Sequence, residues 1–365
     1  MINNISSLIT SNLPIPLNIS NIWNFGRCLG LFLVVQIISG LLLARHYTPD
    51  ITLAFDSISD LRRDIVGGAL LRIIHLNGAS IYFLFLYLHI ARGLYYKSYS
   101  YLFSWLTGFT IIFLSILVAF LGYVLPWGQI SYWGATVITN LLSAVPLVGS
   151  DIVGWIWGGF RVSNPTLRRF FIIHFCVPFI LVSVVALHVL VLHNQGSQNP
   201  SNILSKYNLL RFHPFFVLKD IVFFFLIFLV FEFFIFLNPY FLGDPENFVA
   251  ANMMRTPEHI VPEWYFLFAY AILRRVPWKG IGVLRILMAV FIILVPCFKV
   301  HLGKNNLWAG LGFRITYQNF IWLYFFRILV LTWLGGRTVT IPFIALSRVL
   351  FLVYFIRFLV TIAIS

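Results

Sequence analysis

Long apolar stretches recur along the whole chain and are separated by shorter segments that hold most of the charged residues. Each stretch is about 20 residues long, the length an α-helix needs to cross the roughly 30 Å hydrocarbon core of a bilayer. The stretches are continuously apolar rather than alternating every second residue, which predicts helices rather than strands. We expect eight spans, at about 25–45, 69–95, 106–125, 168–193, 215–237, 283–301, 315–335 and 340–362.

Two segments between the predicted spans are unusual. Residues 129–145 are too short and too rich in small and polar residues to cross the membrane, so we expect them to lie along its surface. The linker 238–282 is longer than most loops but strongly aromatic, which favours a functional loop over a disordered one. The pattern therefore predicts an all-α polytopic membrane protein with an N-terminal four-helix bundle at 1–214 and four C-terminal transmembrane helices at 215–365.

Composition agrees with a membrane protein and bears on possible partners. Charged residues make up only 10% of the chain, less than half the usual share in soluble domains. A net charge of +14 would raise the question of nucleic acid in a soluble protein. Here the basic residues are spread over most loops and helix ends, so we expect no nucleic acid and attribute the charge to the lipid bilayer and bound anionic cofactors.

Two of the predicted spans each carry a pair of histidines, a residue type that is uncommon inside membranes and indicates function there. His75 and His89 are 14 residues apart, and so are His174 and His188. Fourteen residues end about 40° short of four full helical turns, so both members of a pair share one helix face about 21 Å apart along the axis. Two such helices facing each other would form two stacked sites with two imidazoles in each.

Paired imidazoles at this spacing are typical of one kind of metal centre. Imidazole suits iron, and an iron porphyrin with two axial histidines carries electrons without an open coordination position. A single intramembrane histidine is more often a core residue or part of a helix–helix hydrogen bond. The equal spacing in two spans favours two haem sites.

Glycines repeat the same interval in two further spans. Gly26 and Gly40 are 14 residues apart in the first span, as are Gly108 and Gly122 in the third. A residue without Cβ lets a backbone approach a flat ligand closely, although small-residue packing between membrane helices is the ordinary alternative. The shared interval predicts that all four helices face the two haems.

Three arginines lie near the histidines along the sequence and offer partners for haem propionates. Guanidinium groups bind carboxylates through two parallel hydrogen bonds, whereas simple snorkelling to the membrane interface is the alternative. The arginines are Arg72, Arg92 and Arg169.

Four motifs are specific enough to indicate a family. They are Gly-Ala-Ser at 78–80, Arg-Gly-Leu-Tyr-Tyr at 92–96, Trp-Gly-Gln-Ile-Ser-Tyr-Trp-Gly-Ala-Thr-Val-Ile-Thr-Asn at 127–140 and Pro-Glu-Trp-Tyr at 262–265. With them, the chain from about Trp23 onwards resembles mitochondrial cytochrome b, the haem-bearing subunit of the ubiquinol–cytochrome c reductase complex (complex III). The resemblance implies two non-covalent b-type haems, with His75 and His174 on the low-potential iron and His89 and His188 on the high-potential iron.

The resemblance also implies a quinol-oxidation site on one side of the membrane. The family pattern assigns to it Tyr123, Gly134, Glu263, Tyr265 and Tyr270. Desolvation in an apolar, aromatic loop raises the pKa of a carboxyl group, which suits Glu263 to accepting a proton from quinol. An interfacial aromatic anchor with a solvated glutamate is the alternative for Pro-Glu-Trp-Tyr.

A quinone-reduction site on the opposite side is implied in the same way. The family pattern assigns to it Asn24, His193, Lys219 and Asp220, with Phe216 as an apolar wall. His193 can donate to a carbonyl and Asp220 can relay protons, whereas interfacial polar residues at span ends are the alternative. Two positions depart from the family pattern, since Asn194 follows His193 where many relatives have a second histidine and Phe268 replaces a common proline.

Together these expectations describe a Q cycle. Ubiquinol is oxidised near Glu263, one electron leaves to an iron–sulfur partner, and the other passes through both haems to ubiquinone near His193 and Asp220. The chain has no cysteine set for a cluster and no c-type haem motif, so these carriers must be other subunits. The resemblance implies a Rieske-type iron–sulfur subunit, a c-type cytochrome subunit, other complex III subunits and a homodimeric complex in the mitochondrial inner membrane.

Two alternatives differ in what they predict. A photosynthetic-type cytochrome b predicts a split chain and a one-residue-longer histidine interval in the fourth span. A proton-coupled membrane transporter predicts internal repeats and no haem.

Overall fold

The protein is mostly helical in a computed structural model that describes residues 13–201, 208–274, 279–301, 311–338 and 340–364. Two short strands, β1 (Pro14–Pro16) and β2 (Leu209–Arg211), pair antiparallel. The α-helices, numbered along the chain, are α1 (Phe25–Ala44), α2 (Ala54–Asp64), α3 (Gly68–Tyr95), α4 (Leu102–Val124), α5 (Gln129–Asn140), α6 (Gly149–Trp157), α7 (Asn164–Gln195), α8 (Val217–Phe236), α9 (Leu267–Leu273), α10 (Lys279–Phe291), α11 (Val295–His301), α12 (Leu311–Gly335) and α13 (Ile341–Ile364).

The long helices lie where the apolar pattern predicts spans. Within the described residues, six helices are long and apolar enough to cross a membrane: Asn21–Ala44, Gly68–Tyr95, Leu102–Val124, Asn164–Gln195, Phe212–Phe236 and Lys279–Phe298. The seventh and eighth predicted spans coincide with α12 and α13, which have 25 and 24 residues. The prediction of an all-α, multi-span membrane protein is confirmed.

The connecting segments contain helices that a search for apolar runs does not reveal. The polar helix α2 buries only Ala54 and Leu61, which lie seven residues apart on one face. The nine-residue α6 is likewise too short to resemble a span. The predicted surface segment 129–145 is helical too, since α5 is followed by a short 3₁₀ turn, Leu141–Ala144.

The described part of the long linker after α8 is attached to α5. Asn247 accepts hydrogen bonds through its Oδ1 from the backbone N–H and the hydroxyl of Ser131, both at 2.9 Å. The side-chain amide of Gln129 donates to the carbonyl of Arg255 and accepts from the backbone N–H of Asn252. These bonds hold the linker against the start of α5, close to the Pro-Glu-Trp-Tyr motif.

The four helices that carry the repeated histidines and glycines pack as two intimate pairs, α1 with α3 and α4 with α7. Halfway between the two histidine levels, the buried hydroxyls of Tyr82 and Ser115 lie 2.9 Å apart and connect α3 to α4. Around them lies an aromatic core that includes Phe32, Phe83 and Phe231. This core separates the two levels of the bundle.

The C-terminal helices form a second core around a chain of buried hydroxyl groups. Tyr324 of α12 donates to Tyr354 of α13 at 2.6 Å, and Tyr354 donates to the carbonyl of Ala289 in α10 at 3.2 Å. Because buried hydroxyls need partners, this chain fixes the relative positions of the three helices. The indole of Trp105 in α4 donates to the carbonyl of Ile293 and joins this core to the bundle.

The end of α12 provides a test of this packing. A Cβ on Gly335 would overlap the carbonyl oxygen of Leu267 in α9, which is backbone and cannot move aside. Overpacking of this kind costs about 1–3 kcal/mol, so Gly335→Ala should lower the midpoint of thermal unfolding of the purified membrane protein. The matched control is Gly336→Ala, whose Cβ would meet Leu267 Cδ1 at an ordinary 3.7 Å. Equal midpoints for the two variants would contradict the described packing.

Candidate functional site

The two histidine pairs meet across the bundle as their spacing predicts. The ring centroids of His75 in α3 and His174 in α7 are 6.4 Å apart. Those of His89 and His188, one level away, are also 6.4 Å apart. Two imidazoles that ligate one ion from opposite sides, with bonds of about 2 Å each, bring their centroids to about 6 Å. Both pairs therefore have the separation of axial ligands.

Hydroxyl groups on neighbouring helices set the tautomer of two of these imidazoles. The Oγ of Ser39 lies 2.8 Å from Nδ1 of His75, and the Oγ1 of Thr107 lies 2.9 Å from Nδ1 of His188. Each hydroxyl donates its own proton to a carbonyl one turn earlier in its helix. It must therefore accept from Nδ1–H, which leaves the Nε2 lone pair of His75 and of His188 available to a metal.

The other two imidazoles differ from each other. Nδ1 of His174 lies 2.9 Å from the carbonyl of Val118, so it donates as well and leaves Nε2 available. Nδ1 of His89 instead lies 3.3 Å from Nη2 of Arg92, a group that can only donate. His89 is thus held by a donor, whereas the other three histidines are held by acceptors.

Each of the four repeated glycines faces one imidazole. An added Cβ would lie close to Cε1 of the facing ring at every one of these positions. The distance would be 3.1 Å for Gly26 to His89, 3.1 Å for Gly40 to His75 and 3.3 Å for Gly108 to His188, and a Cβ on Gly122 would overlap the ring of His174. The sequence predicts that these glycines admit a flat ligand. In the structure, each missing Cβ first makes room for a histidine ring.

The three predicted arginines differ in their surroundings. Arg72 lines the cavity next to His75, and its guanidinium lies 5.2 Å from the centre of the Phe248 ring. Arg92 lies over the ring of Trp23 at 5.6 Å, and its Nε and the indole nitrogen are buried donors with no hydrogen-bond partner among the described residues. Arg169 donates to the carbonyl of Trp155 at the end of α6.

A cavity of about 280 Å³ extends from one histidine pair to the Pro-Glu-Trp-Tyr motif. Its lining includes His75 and His174 at one end and Glu263 and Tyr265 at the other. Tyr123, at the end of α4, lines the same space. The histidine pair and the acidic group of the linker therefore open into one volume, although they are distant along the chain.

Contacts with α3 hold the Pro-Glu-Trp-Tyr motif in place. The ring of Tyr265 stacks on Phe83 with 4.1 Å between centroids and an interplanar angle of 5°. Tyr87 donates to the carbonyl of Tyr265, and the indole of Trp264 donates to the hydroxyl of Ser80 at 3.2 Å. Ser80 belongs to the Gly-Ala-Ser motif, so two of the family motifs meet here.

Glu263 is a buried carboxyl group, with only 7% of its surface exposed. Burial raises its pKa to about 8, and the nearby negative charge of Asp244 adds to the shift. Asp244 lines the same cavity and has its own pKa raised by burial. The hydroxyl of Tyr265 has its pKa raised by burial and by the charge of Glu263, so it remains a hydrogen-bond donor. A solvated glutamate, the alternative for this motif, does not fit these surroundings.

Two residues assigned to the same site lie apart from the described cavity lining. Tyr270 donates to the carbonyl of Ile260 at 2.7 Å and thereby holds the segment that leads to Glu263. Gly134 lies on α5, where an added Cβ would meet nothing within 4 Å.

At the other end of the bundle, Asn24 and Asp220 are brought together by a residue that sequence reasoning missed. Nη1 of Arg27 lies 2.6 Å from Oδ1 of Asp220 and 3.4 Å from Oδ1 of Asn24. Both acceptors are buried. A charged residue inside the apolar run of α1 was the available signal, because an arginine at that depth needs a partner.

The other residues predicted at this end lie on several elements. Lys219 donates to the carbonyl of Ile19 at 2.7 Å, and Phe216 is fully buried in an apolar cluster that includes Trp23. His193 lies in the last turn of α7. The following Gln195 accepts from the hydroxyl of Ser104 at 3.4 Å and ties this end of α7 to α4.

Other functional residues that the sequence analysis missed lie beside predicted ones. Ser39 and Thr107 each directly precede a glycine of the 14-residue repeat, so a hydroxyl residue at that position was the signal. Asp244, an acidic residue in an aromatic linker, was visible in the same way as Glu263.

The chain matches known proteins over most of its length. Residues 10–196 match the family described as Cytochrome b/b6/petB, and residues 250–355 match Cytochrome b(C-terminal)/b6/petD. A chain of a solved structure titled "Hyperthermophilic respiratory Complex III" is 30% identical, with a TM-score of 0.91, over 100% of this chain and 96% of that chain. The first family match alone spans more than half of the sequence, and the chain belongs to the cytochrome b/b6 family.

Proposed function

We propose that this chain is the haem-bearing, quinol-oxidising subunit of a complex III-type oxidoreductase. The observation that carries the proposal is the cavity that joins one pair of facing imidazoles to the buried carboxyl group of Glu263. Membership of a family whose members bind haem supports it. The match over the full chain to a respiratory complex III structure supports it as well.

The residues present suit two b-type haems. His75 and His174 would hold the iron of the low-potential haem, and His89 and His188 that of the high-potential haem. The buried unpaired donors of Arg92 and Trp23 suit a haem propionate. If Arg92 turns to such an anion, Nδ1 of His89 is released from its donor. Bound haem supplies one-electron transfer between the two levels.

At the quinol-oxidation site, the chain's own residues would move the proton. Glu263 accepts it from the quinol hydroxyl, since a raised pKa matches a carboxylate to this task near neutral pH. Asp244 lines the same cavity and is the next proton acceptor towards solvent. Tyr265 and Tyr123 are walls whose hydroxyl groups can donate to the quinone oxygen. Tyr270 positions the segment before Glu263, and Gly134 leaves space on α5.

At the quinone-reduction site, Asn24, Asp220, Lys219 and His193 would bind the quinone head group and deliver protons, with Phe216 as an apolar wall. Arg27 connects Asn24 to Asp220 there. The two sites lie at opposite ends of the bundle. Electron transfer between them, with proton release at one end and uptake at the other, constitutes a Q cycle and translocates protons.

The proposed partners carry the redox centres that this chain lacks the residues to bind. Its three cysteines, Cys28, Cys176 and Cys297, are far apart in sequence and free. A Rieske-type iron–sulfur subunit and a c-type cytochrome subunit would therefore receive the first electron. A homodimeric complex and the mitochondrial inner membrane stay predictions from the motif resemblance.

The comparisons argue against both alternative functions. The family match argues against a proton-coupled transporter. A photosynthetic-type protein predicts a split chain, whereas both family regions occur here in one chain, and the matched structure is a respiratory complex.

The histidine pairing can be tested by reduced-minus-oxidised spectra of the purified complex. His75→Leu and His174→Leu should each remove the same b-type transition, because either change deletes one of two axial ligands. His89→Leu and His188→Leu should each remove the other transition. The control is His46→Leu, since His46 is exposed at the end of α1 and should retain both transitions. Loss of different transitions within one pair would refute the pairing.

The proton-accepting role of Glu263 has a pH signature. Only the carboxylate form can accept a proton, and its pKa is raised to about 8, so quinol oxidation should speed up as the pH rises through about 8. Glu263→Gln should lower the rate about a hundredfold, within the range for loss of a general base, and should abolish that rise.

The matched control is Glu258→Gln, which removes an exposed carboxylate five residues earlier in the same linker. It should leave both the rate and the pH profile unchanged. A Glu263→Gln enzyme with the wild-type pH profile would refute the assignment.

A further inference from the structure

The contact between Arg27 and Asp220 joins residues on helices α1 and α8 that are 193 positions apart. Only 8% of the Asp220 side chain is exposed, against 31% for Arg27. The contact uses one atom on each side, Nη1 and Oδ1, at 2.6 Å. Among the described residues, no hydrogen-bond donor contacts the second oxygen, Oδ2. Asp220 is therefore fixed by one oxygen and has the other available.

The same Nη1 atom also determines how the side chain of Asn24 is turned. A guanidinium group only donates, so the amide oxygen of Asn24 faces Arg27, at 3.4 Å. The amide nitrogen, Nδ2, is turned away and is buried with no hydrogen-bond partner among the described residues. Leaving a buried amide donor unpaired is unfavourable, which indicates a group reserved for a ligand.

We propose that Arg27 is a positioning residue of the quinone-reduction site, and this inference rests on the proposed function. By holding Asn24 and Asp220 through one nitrogen, Arg27 presents one unpaired donor, Nδ2, and one unpaired acceptor, Oδ2, to the same quinone oxygen. Before reduction that oxygen is a carbonyl and accepts from Asn24. After reduction it is a hydroxyl and donates to Asp220.

The proton balance is consistent with this arrangement. Reduction of a quinone to a quinol takes up two electrons, which the proposed path through the His89–His188 level supplies, and two protons. Oδ2 of Asp220 first takes up a proton from water, which forms the carboxyl O–H bond. The carboxyl group then delivers this proton to the ring oxygen, where an O–H bond forms as the carboxyl O–H bond breaks. The carboxylate left behind is the form that pairs with Arg27. The second proton enters at the other ring oxygen.

Lys219, the neighbour of Asp220, does not have this role. Its Nζ donates to the carbonyl of Ile19 at 2.7 Å, which directs it towards the segment before α1. The Arg27 guanidinium is further held in place over the ring of Phe212, 4.7 Å from its centre. The family resemblance points to Lys219 and Asp220, whereas the direct partner of the carboxylate in this chain is Arg27.

The test uses the assembled complex in a Glu263→Gln background. In this background, quinol reduces the haems almost entirely through the quinone-reduction site, working in reverse. The maximal rate of haem reduction and the half-saturating quinol concentration are measured. Arg27→Gln should lower the maximal rate about tenfold, within the range for a misplaced reacting group, and change the half-saturating concentration less than threefold. Arg27→Lys should recover most of the rate, because it restores a donor cation.

A double-mutant cycle separates positioning from direct contact. In an Asp220→Asn background, Arg27→Gln should lower the rate markedly less than tenfold, because one of the two groups that Arg27 positions is already removed and only Asn24 remains. The matched control is Arg45→Gln, which removes an exposed cation from the other end of α1 and should leave the rate unchanged. An equal loss from Arg27→Gln with and without Asp220, or no loss at all, would overturn the inference.

Folding and the proposed function are checked separately. The two b-type transitions report whether each variant assembles. If the Arg27→Gln variant loses these transitions, the double variant Arg27→Gln, Asp220→Asn is used instead, because it leaves no unpaired buried charge. Its rate is compared with that of Asp220→Asn. A separate outcome is that the complex with Arg27 intact, in the Glu263→Gln background, retains both transitions and still shows no haem reduction by quinol. That result would show that the proposed quinone-reduction site is wrong, independently of the contacts of Arg27.

Discussion

The close approach of an imidazole ring to a glycine on the neighbouring helix is the contact on which the bundle depends. It occurs four times, and at each position a Cβ would press on or overlap the ring. A glycine lets the helices stay close while a ring with two nitrogens occupies the space between them. At the Gly122 and His174 contact, even a methyl group would force the ring or the helix to move. The histidine spacing is useful only because the glycines repeat it.

In this bundle, the groups suited to electron transfer lie apart from the groups that can exchange protons. Three of the four imidazoles are held at Nδ1 by Ser39, Thr107 and the Val118 carbonyl, so they suit metal ligation rather than proton transfer. Groups that can exchange protons lie at the two ends of the bundle, with Glu263 at one and Asp220 at the other. The aromatic core between the levels contains the Tyr82 hydroxyl, which is already paired with a serine. In the proposed function, each proton exchanges with its own side of the membrane.

Both ends of the bundle hold buried carboxyl groups, but in different ways. Glu263 and Asp244 share an apolar cavity, where burial and mutual repulsion both raise the pKa of Glu263. Asp220 has a guanidinium partner at 2.6 Å and retains one unpaired oxygen. The first arrangement suits uptake of a proton from a ligand, and the second suits a carboxylate that is orientated before the ligand arrives.

The sequence by itself determined the long helices and the two histidine levels, because apolar length and a 14-residue interval are properties of single helices. The family resemblance of the Pro-Glu-Trp-Tyr motif also pointed to Glu263, with an interfacial aromatic anchor left open as the alternative. The short helices α2 and α6 lacked such a signal. Only the tertiary structure decided that Glu263 shares a cavity with His75, and that Arg27 rather than Lys219 meets Asp220. These contacts join residues far apart in the chain, so they depend on how the helices pack, which no local pattern encodes.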